Sequence, residues 1–222
     1  MTRLLMALPL FVVAGLARCD DQPPQTAEEW FKAVEARYQG AKTVFVKVEK
    51  RPTDPEAVIR VSVWYGGEQG YRTESLTEDG KVRGTSICDG KNMQELDAEG
   101  KPGEKLGNPM PRYEAWGRHH FVRRGYGWRT METSDKEIPM RDLKLSGEEK
   151  VDERPCVVLE WTVLWAAARV TPIPQKTWID KETLAIVRRE WTVREGTVIE
   201  VYTDTKFDAE PPADAFRIVE GK

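Results

Sequence analysis

Cysteine, histidine and the common ligand-binding motifs are what this chain has least of. Three cysteines in 222 residues are too few for a disulfide framework, so the fold has to stand on a hydrophobic core. The two histidines are the neighbours His119 and His120. Adjacent residues on a helix point about 100° apart, and no CxxC or HExxH accompanies them, so they do not read as a metal site. GxSxG, GxxxxGK[ST] and GxGxxG do not occur, which removes the usual serine-hydrolase, phosphate-loop and dinucleotide signatures. Positive charge is not in excess either. Thirty-four Lys and Arg against 37 Asp and Glu give a formal net charge of −3, so no global field draws the molecule to nucleic acid. Neither a metal nor a cofactor is expected. The carboxylates cluster in "TEDG", "DAEG" and "SGEEKVDE", where turns and solvation account for them, and the chain does not read as an enzyme.

Long apolar runs are also missing after the first 17 residues, and the run that is there is short. "MTRLLMALPLFVVAGLA" has Arg3 followed by an uncharged stretch ending in small residues, which predicts a secretory signal peptide over residues 1–17. A polar, proline-containing linker over residues 18–25 follows. Cys19, in "LARC", stands where bacterial lipoprotein signals carry the lipidated cysteine, although Arg18 occupies a place that such signals give to a small residue. The expected location is the periplasm or cell envelope, with membrane attachment only if Cys19 is acylated.

Residues 26–222 read as one domain. "TAEEWFKAVEARYQG" opens with a capping box, Thr26 and Glu29, and repeats Ala27, Trp30, Phe31, Val34 and Tyr38 at helical spacing. The period then changes to two. Val44, Val46 and Val48 share a face, as do Ile59, Val61, Val63 and Tyr65, and later Val157, Leu159, Trp161, Val163 and Trp165. "EDG" and "DGK" between the shorter runs supply hairpin turns, because Asp-Gly accepts the positive φ such turns need. Residues 100–107 read as a loop, residues 108–124 as a second helix with Pro109 at its start, and the stretch up to Met140 as irregular. In the segment "TWIDKETLAIVRREW", Asp180–Thr183 form a turn. In its return strand Ala185, Val187, Trp191 and Val193 share a face that Arg189 interrupts. A ten-residue strand with an apolar face needs a cover, and the two helices are the only candidates. The fold class is therefore α+β, mainly β: one large, curved antiparallel sheet forming an unclosed half-barrel, with the N-terminal helix and a lid helix on its concave face.

Candidate site residues follow from this arrangement. Eight tryptophans are individually best read as core. Together, Trp64, Trp116, Trp161, Trp165, Trp178 and Trp191, with Phe121, would line an apolar pocket. Arg112, Arg124 and Arg189 would form a polar rim. Cys88 and Cys156 both fall on strands and are either buried thiols or a disulfide, which would need Cα atoms within about 7 Å.

The N-terminal helix leading into "KTVFVKVEKR", then "SICDGKNMQEL", "LSGEEKVDERPCVVLEW", "TWIDKETLAIVRREW" and the closing "YTDTKFDAEPPADAFRI" resemble, in this order, the LolA-like superfamily. It comprises periplasmic lipoprotein carriers, outer-membrane lipoprotein-sorting proteins and RseB-like lipid-binding folds. The resemblance covers most of the chain after residue 25 and implies a half-barrel of about eleven strands whose concave apolar face binds acyl chains. It carries over a fold and a ligand class, not individual ligand contacts. It implies a non-enzymatic envelope monomer that binds a lipid or a lipoprotein acyl chain. The alternative is the same fold with a filled core, acting as a sensor that binds an envelope protein.

Overall fold

The computed structural model describes residues 23–52, 57–66, 70–107, 140–165, 171–194 and 196–219. The expected signal peptide, Cys19, His119, His120 and the expected lid helix, with Arg112, Trp116, Phe121 and Arg124, lie outside them.

Helix α1 spans Ala27–Gly40. The Thr26 hydroxyl accepts from the Glu29 amide at 3.2 Å, and the Glu29 carboxylate accepts from the Thr26 amide at 3.0 Å. This is the expected capping box, which satisfies two amides that helix geometry leaves without partners. Trp30, Phe31, Val34 and Tyr38 are buried on one face. At the other end Arg37 lies 4.2 Å over the Phe207 ring and pairs with Asp208, fastening the last turn to the sheet.

Among the described residues eleven strands follow: β1 Val44–Arg51, β2 Ile59–Tyr65, β3 Tyr71–Leu76, β4 Val82–Cys88, β5 Asn92–Leu96, β6 Pro102–Gly107, β7 Met140–Val151, β8 Arg154–Trp165, β9 Thr171–Asp180, β10 Ile186–Val193 and β11 Gly196–Phe207. They make one antiparallel sheet in the order β6-β5-β4-β3-β2-β1-β11-β10-β9-β8-β7. Two meanders thus meet at the β1–β11 pair, and among the described residues β6 and β7 are the outermost strands. The sheet is an unclosed half-barrel, and its period-two pattern gives it one buried face. The turns behave as Asp-Gly turns should: at Asp89 the carboxylate accepts from the Lys91 and Asn92 amides, and Gly90 takes φ +85°. Asp180 does the same for Glu182 and Thr183, both at 2.9 Å. The "DKE" acids are therefore a turn.

Two expectations about strands are corrected. Residues 102–107 are strand β6 rather than loop, and "SGEEKV" belongs to β7 rather than to a turn. Both are edge strands whose residues are mostly exposed, so neither carries the apolar alternation that marks a half-buried strand.

The face against α1 is concave and holds the main core: Trp30, Phe31, Val34 and Tyr38 pack with Val44, Val46, Val61, Val63, Tyr65, Tyr71, Leu159, Trp161, Ile179 and Tyr202, among others. A smaller cluster of Cys156, Val158, Trp178 and Val187 lies on the convex face. The C-terminal segment crosses that same side, where the Val219 amide donates to Gln94 Oε1 at 3.0 Å. Cys88 belongs to the concave core and Cys156 to the convex cluster, on strands with six others between them. Both are free thiols, so the disulfide alternative is not realised.

Candidate functional site

Directly paired residues in an antiparallel ladder point to the same side, so the registers can be followed across the sheet. Ile59 pairs with Lys50, Lys50 with Glu200, Glu200 with Arg189, Arg189 with Thr177, Thr177 with Leu159 and Leu159 with Leu145. One row of seven side chains therefore runs across β2, β1, β11, β10, β9, β8 and β7 on the concave face. The neighbouring row contains Val198, Trp191, Gln175 and Trp161. Helix α1 is anchored toward the opposite strand ends, where the Tyr38 hydroxyl accepts from the Ile186 amide at 3.1 Å and the Tyr38 ring meets Phe207 edge-on at 5.0 Å.

The centre of the row is polar. Arg189, half-buried, donates from Nε and Nη2 to Gln175 Oε1 at 3.2 and 2.9 Å, and Gln175 is itself buried. The guanidinium carbon of Arg189 and the Lys50 ammonium lie 5.1 and 5.0 Å from the centroid of the Trp191 ring, within cation–π range. Lys50 stands 3.8 Å from Glu200, and the Tyr202 hydroxyl donates to the other Glu200 oxygen. Burial, reinforced by the Glu200 charge, pushes the Tyr202 phenol well above its ordinary range, so it stays a donor. The buried Thr177 hydroxyl lies within the same row and has no hydrogen-bond partner among the described residues.

Around this polar centre the concave face is apolar and incompletely covered. Ile59, Val48, Leu143 and Trp191 are half-buried, and Leu145 and Leu106 remain 41% and 45% exposed on the concave sides of β7 and β6. Among the described residues no group of three or more His, Cys, Asp or Glu is placed to hold a metal ion, and no helix is long and apolar enough to cross a membrane.

The expected site residues divide by face. Trp161 and Trp191 are on the concave side, with Arg189. The side chain of Trp165 lies outside the described residues. Trp64 and Trp178 lie on the convex side of the sheet. Trp64 pairs with Phe45 on the convex side, ring centroids 4.7 Å apart. Trp178 is buried in the convex cluster, its indole N–H donating to Glu149 at 2.7 Å, with the Lys176 ammonium and the Arg188 guanidinium carbon 4.6 and 5.0 Å from its ring centroid. A register shift between Ile186 and Arg188 also turns Val187 to that side, away from Arg189 and Trp191. Lys50, Gln175, Glu200 and Tyr202 went unpredicted. Lys50 continues the Val44–Val46–Val48 alternation, and Glu200 and Tyr202 alternate with Val198, so period-two parity was the signal that could have found them.

No family model matches the sequence, and no curated protein matches it. Among solved structures, the lipoprotein LppX of Mycobacterium tuberculosis is similar at 13% identity and a TM-score of 0.53, over 85% of this chain and 98% of LppX. LprF from Mycobacterium bovis is similar at 14% identity and a TM-score of 0.51, over 84% of this chain and 94% of LprF. A conserved protein of Thermus thermophilus gives 14% identity and a TM-score of 0.50, over 87% of this chain and 94% of that one. These likenesses concern the fold alone.

Proposed function

We propose that this chain is a non-enzymatic envelope protein that holds a lipid, a lipoprotein acyl chain or another amphiphile on the concave face of its sheet. One observation carries the reading: beyond α1, that face keeps Ile59, Val48, Trp191, Leu143 and Leu145 incompletely covered around a polar centre. Covering such surface with an acyl chain is favourable by roughly 25 cal/mol per Å² of apolar area. Five of the described carboxylates are taken up by structural contacts. Asp89 and Asp180 cap turns, Glu149 and Glu160 sit in convex-side ion pairs, and Glu200 is engaged by Tyr202 and Lys50. That LppX is a lipoprotein supports an envelope location, and outer-membrane lipoprotein sorting is one process such a carrier serves. Export by the signal peptide would release a monomer, attached to the membrane only where Cys19 is acylated.

Native mass spectrometry of protein purified from envelopes tests this. A lipid-mass adduct that delipidation removes is expected, and the same spectrum reports acylation of Cys19. Protein without an adduct that also takes up neither oleate nor phosphatidylglycerol would contradict the reading.

A second reading rests on a different observation. Trp30, Phe31, Val34 and Tyr38 of α1 already fill the centre of the concave core. A filled core suits a sensor module that binds an envelope protein, and it predicts a delipidated protein with no ligand uptake.

A further inference from the structure

The polar centre of the concave face is chemically specific. Lys50 is 31% exposed at its side chain and sits 5.0 Å over the Trp191 ring. Its separation of 3.8 Å from Glu200 is an ion-pair contact but too long for a hydrogen bond, while the Tyr202 hydroxyl hydrogen-bonds that carboxylate. Across the β1–β2 ladder the directly opposite residue on the same face is Ile59, and Val48 lies two positions along the strand; both are half-buried and pack against the main core. The Arg189 guanidinium carbon lies 5.1 Å from the centroid of the same ring, and Gln175 accepts hydrogen bonds from that guanidinium. A lysine with a partly accessible side chain thus stands with its ammonium 5.0 Å from an aromatic ring, at the margin of an apolar surface.

We infer that the amphiphile carries an anionic oxygen headgroup, a phosphate or a carboxylate, and that Lys50, seated on Trp191, binds it while the chain lies along Ile59 and Val48. This rests on the amphiphile-binding reading above. Lys50 is suited to the task as a compact charge with rotatable donors. An anionic oxygen arriving at the ammonium makes a charge-assisted hydrogen bond that the long Glu200 contact does not. Because the site is half open, the interaction will weaken as salt rises. Arg189 and Gln175 are positioning residues here: they set the Trp191 ring against which the ammonium rests.

The test is isothermal titration of delipidated protein with dodecanoate, dodecyl phosphate and dodecanol, which share one chain and differ in the head. Wild-type protein should bind one or both anions about tenfold more tightly than the alcohol, as one charged hydrogen bond implies. Whichever anion binds more tightly identifies the carboxylate or the phosphate source. Lys50→Gln should bring the anions down to the affinity of dodecanol without weakening dodecanol itself, and Lys50→Arg should restore the preference. Equal affinity for all three compounds in the wild type overturns the headgroup inference, needs no variant, and leaves amphiphile binding standing. An anion preference that survives in Lys50→Gln also overturns it. Binding of none of the three removes both this inference and the reading beneath it.

Discussion

Arg189 and Gln175 meet across the β9–β10 ladder, with two guanidinium donors converging on one buried amide oxygen at 3.2 and 2.9 Å. An arginine that interrupts an apolar face is thereby held within the sheet. Gln175→Leu removes the acceptor and should lower the unfolding free energy by about 1–3 kcal/mol in urea titrations. Gln175→Glu keeps an acceptor in place and should lose less. Equal stability of the wild type and the leucine variant would show that this contact is not needed.

Trp178 separates the two faces. Its indole N–H donates to Glu149 and its ring is within cation–π range of Lys176 and Arg188, all on the convex side. Trp178→Phe should lower stability by about 1–2 kcal/mol and leave ligand uptake unchanged. Reduced uptake with unchanged stability would return Trp178 to the site.

Gly70 is fixed by its neighbour. It takes φ +119°, and a Cβ there would fall 1.8 Å from the Cys88 carbonyl oxygen. Gly70→Ala therefore combines backbone strain with a clash that only a backbone shift relieves, and should cost about 3 kcal/mol or more. Gly80, at φ +80° with nothing within 4 Å, isolates the strain alone, and Gly80→Ala should cost about 1 kcal/mol. Thermal or urea unfolding of the two variants compares them directly.

Acid should destabilise the fold through its outward-facing glutamates. Hydrogen bonds from Arg51 to Glu49, from Trp178 to Glu149 and from Ser146 to Glu160 hold all three carboxyls below the usual 4.5. A depressed folded-state pKa contributes stability that is present above the unfolded value and lost as pH falls through the folded one. The urea midpoint should be flat from about pH 7 to about pH 5 and fall below about 4.5. Each partly exposed pair adds little by itself. Glu149→Gln should flatten the acid limb slightly, and a midpoint that rises with acidification would contradict the assignment.

Much of this architecture was legible in the residues. Thr26 and Glu29 announced the helix start, the Ile59–Tyr65 alternation announced β2, and the Asp-Gly turns announced the hairpins between β3, β4 and β5. The edge strands were not legible, because a strand exposed on both sides has no apolar period. Gly147 at φ +124° and Asp142 at φ +57° further break the regularity of β7. The site was half legible. Placing Ile59, Val61, Val63 and Tyr65 inside already puts Trp64 outside, so its inclusion let side-chain size override parity. Parity along the individual strands also favours Lys50, yet the meeting of Lys50, Arg189 and Trp191 could not be foreseen. They share one site only because β1 pairs with β11 rather than with a sequence neighbour on that side.

Trp191 gives the most direct access to the central claim. A fatty acid brominated along its chain quenches indole fluorescence on contact, so titrating it into delipidated protein reports where the chain lies. The account predicts saturable quenching in the wild type and a smaller quench in Trp191→Phe, while Trp178→Phe retains the loss that Trp191 contributes. No saturable quenching, or an undiminished quench in Trp191→Phe, would contradict the concave face as the binding surface.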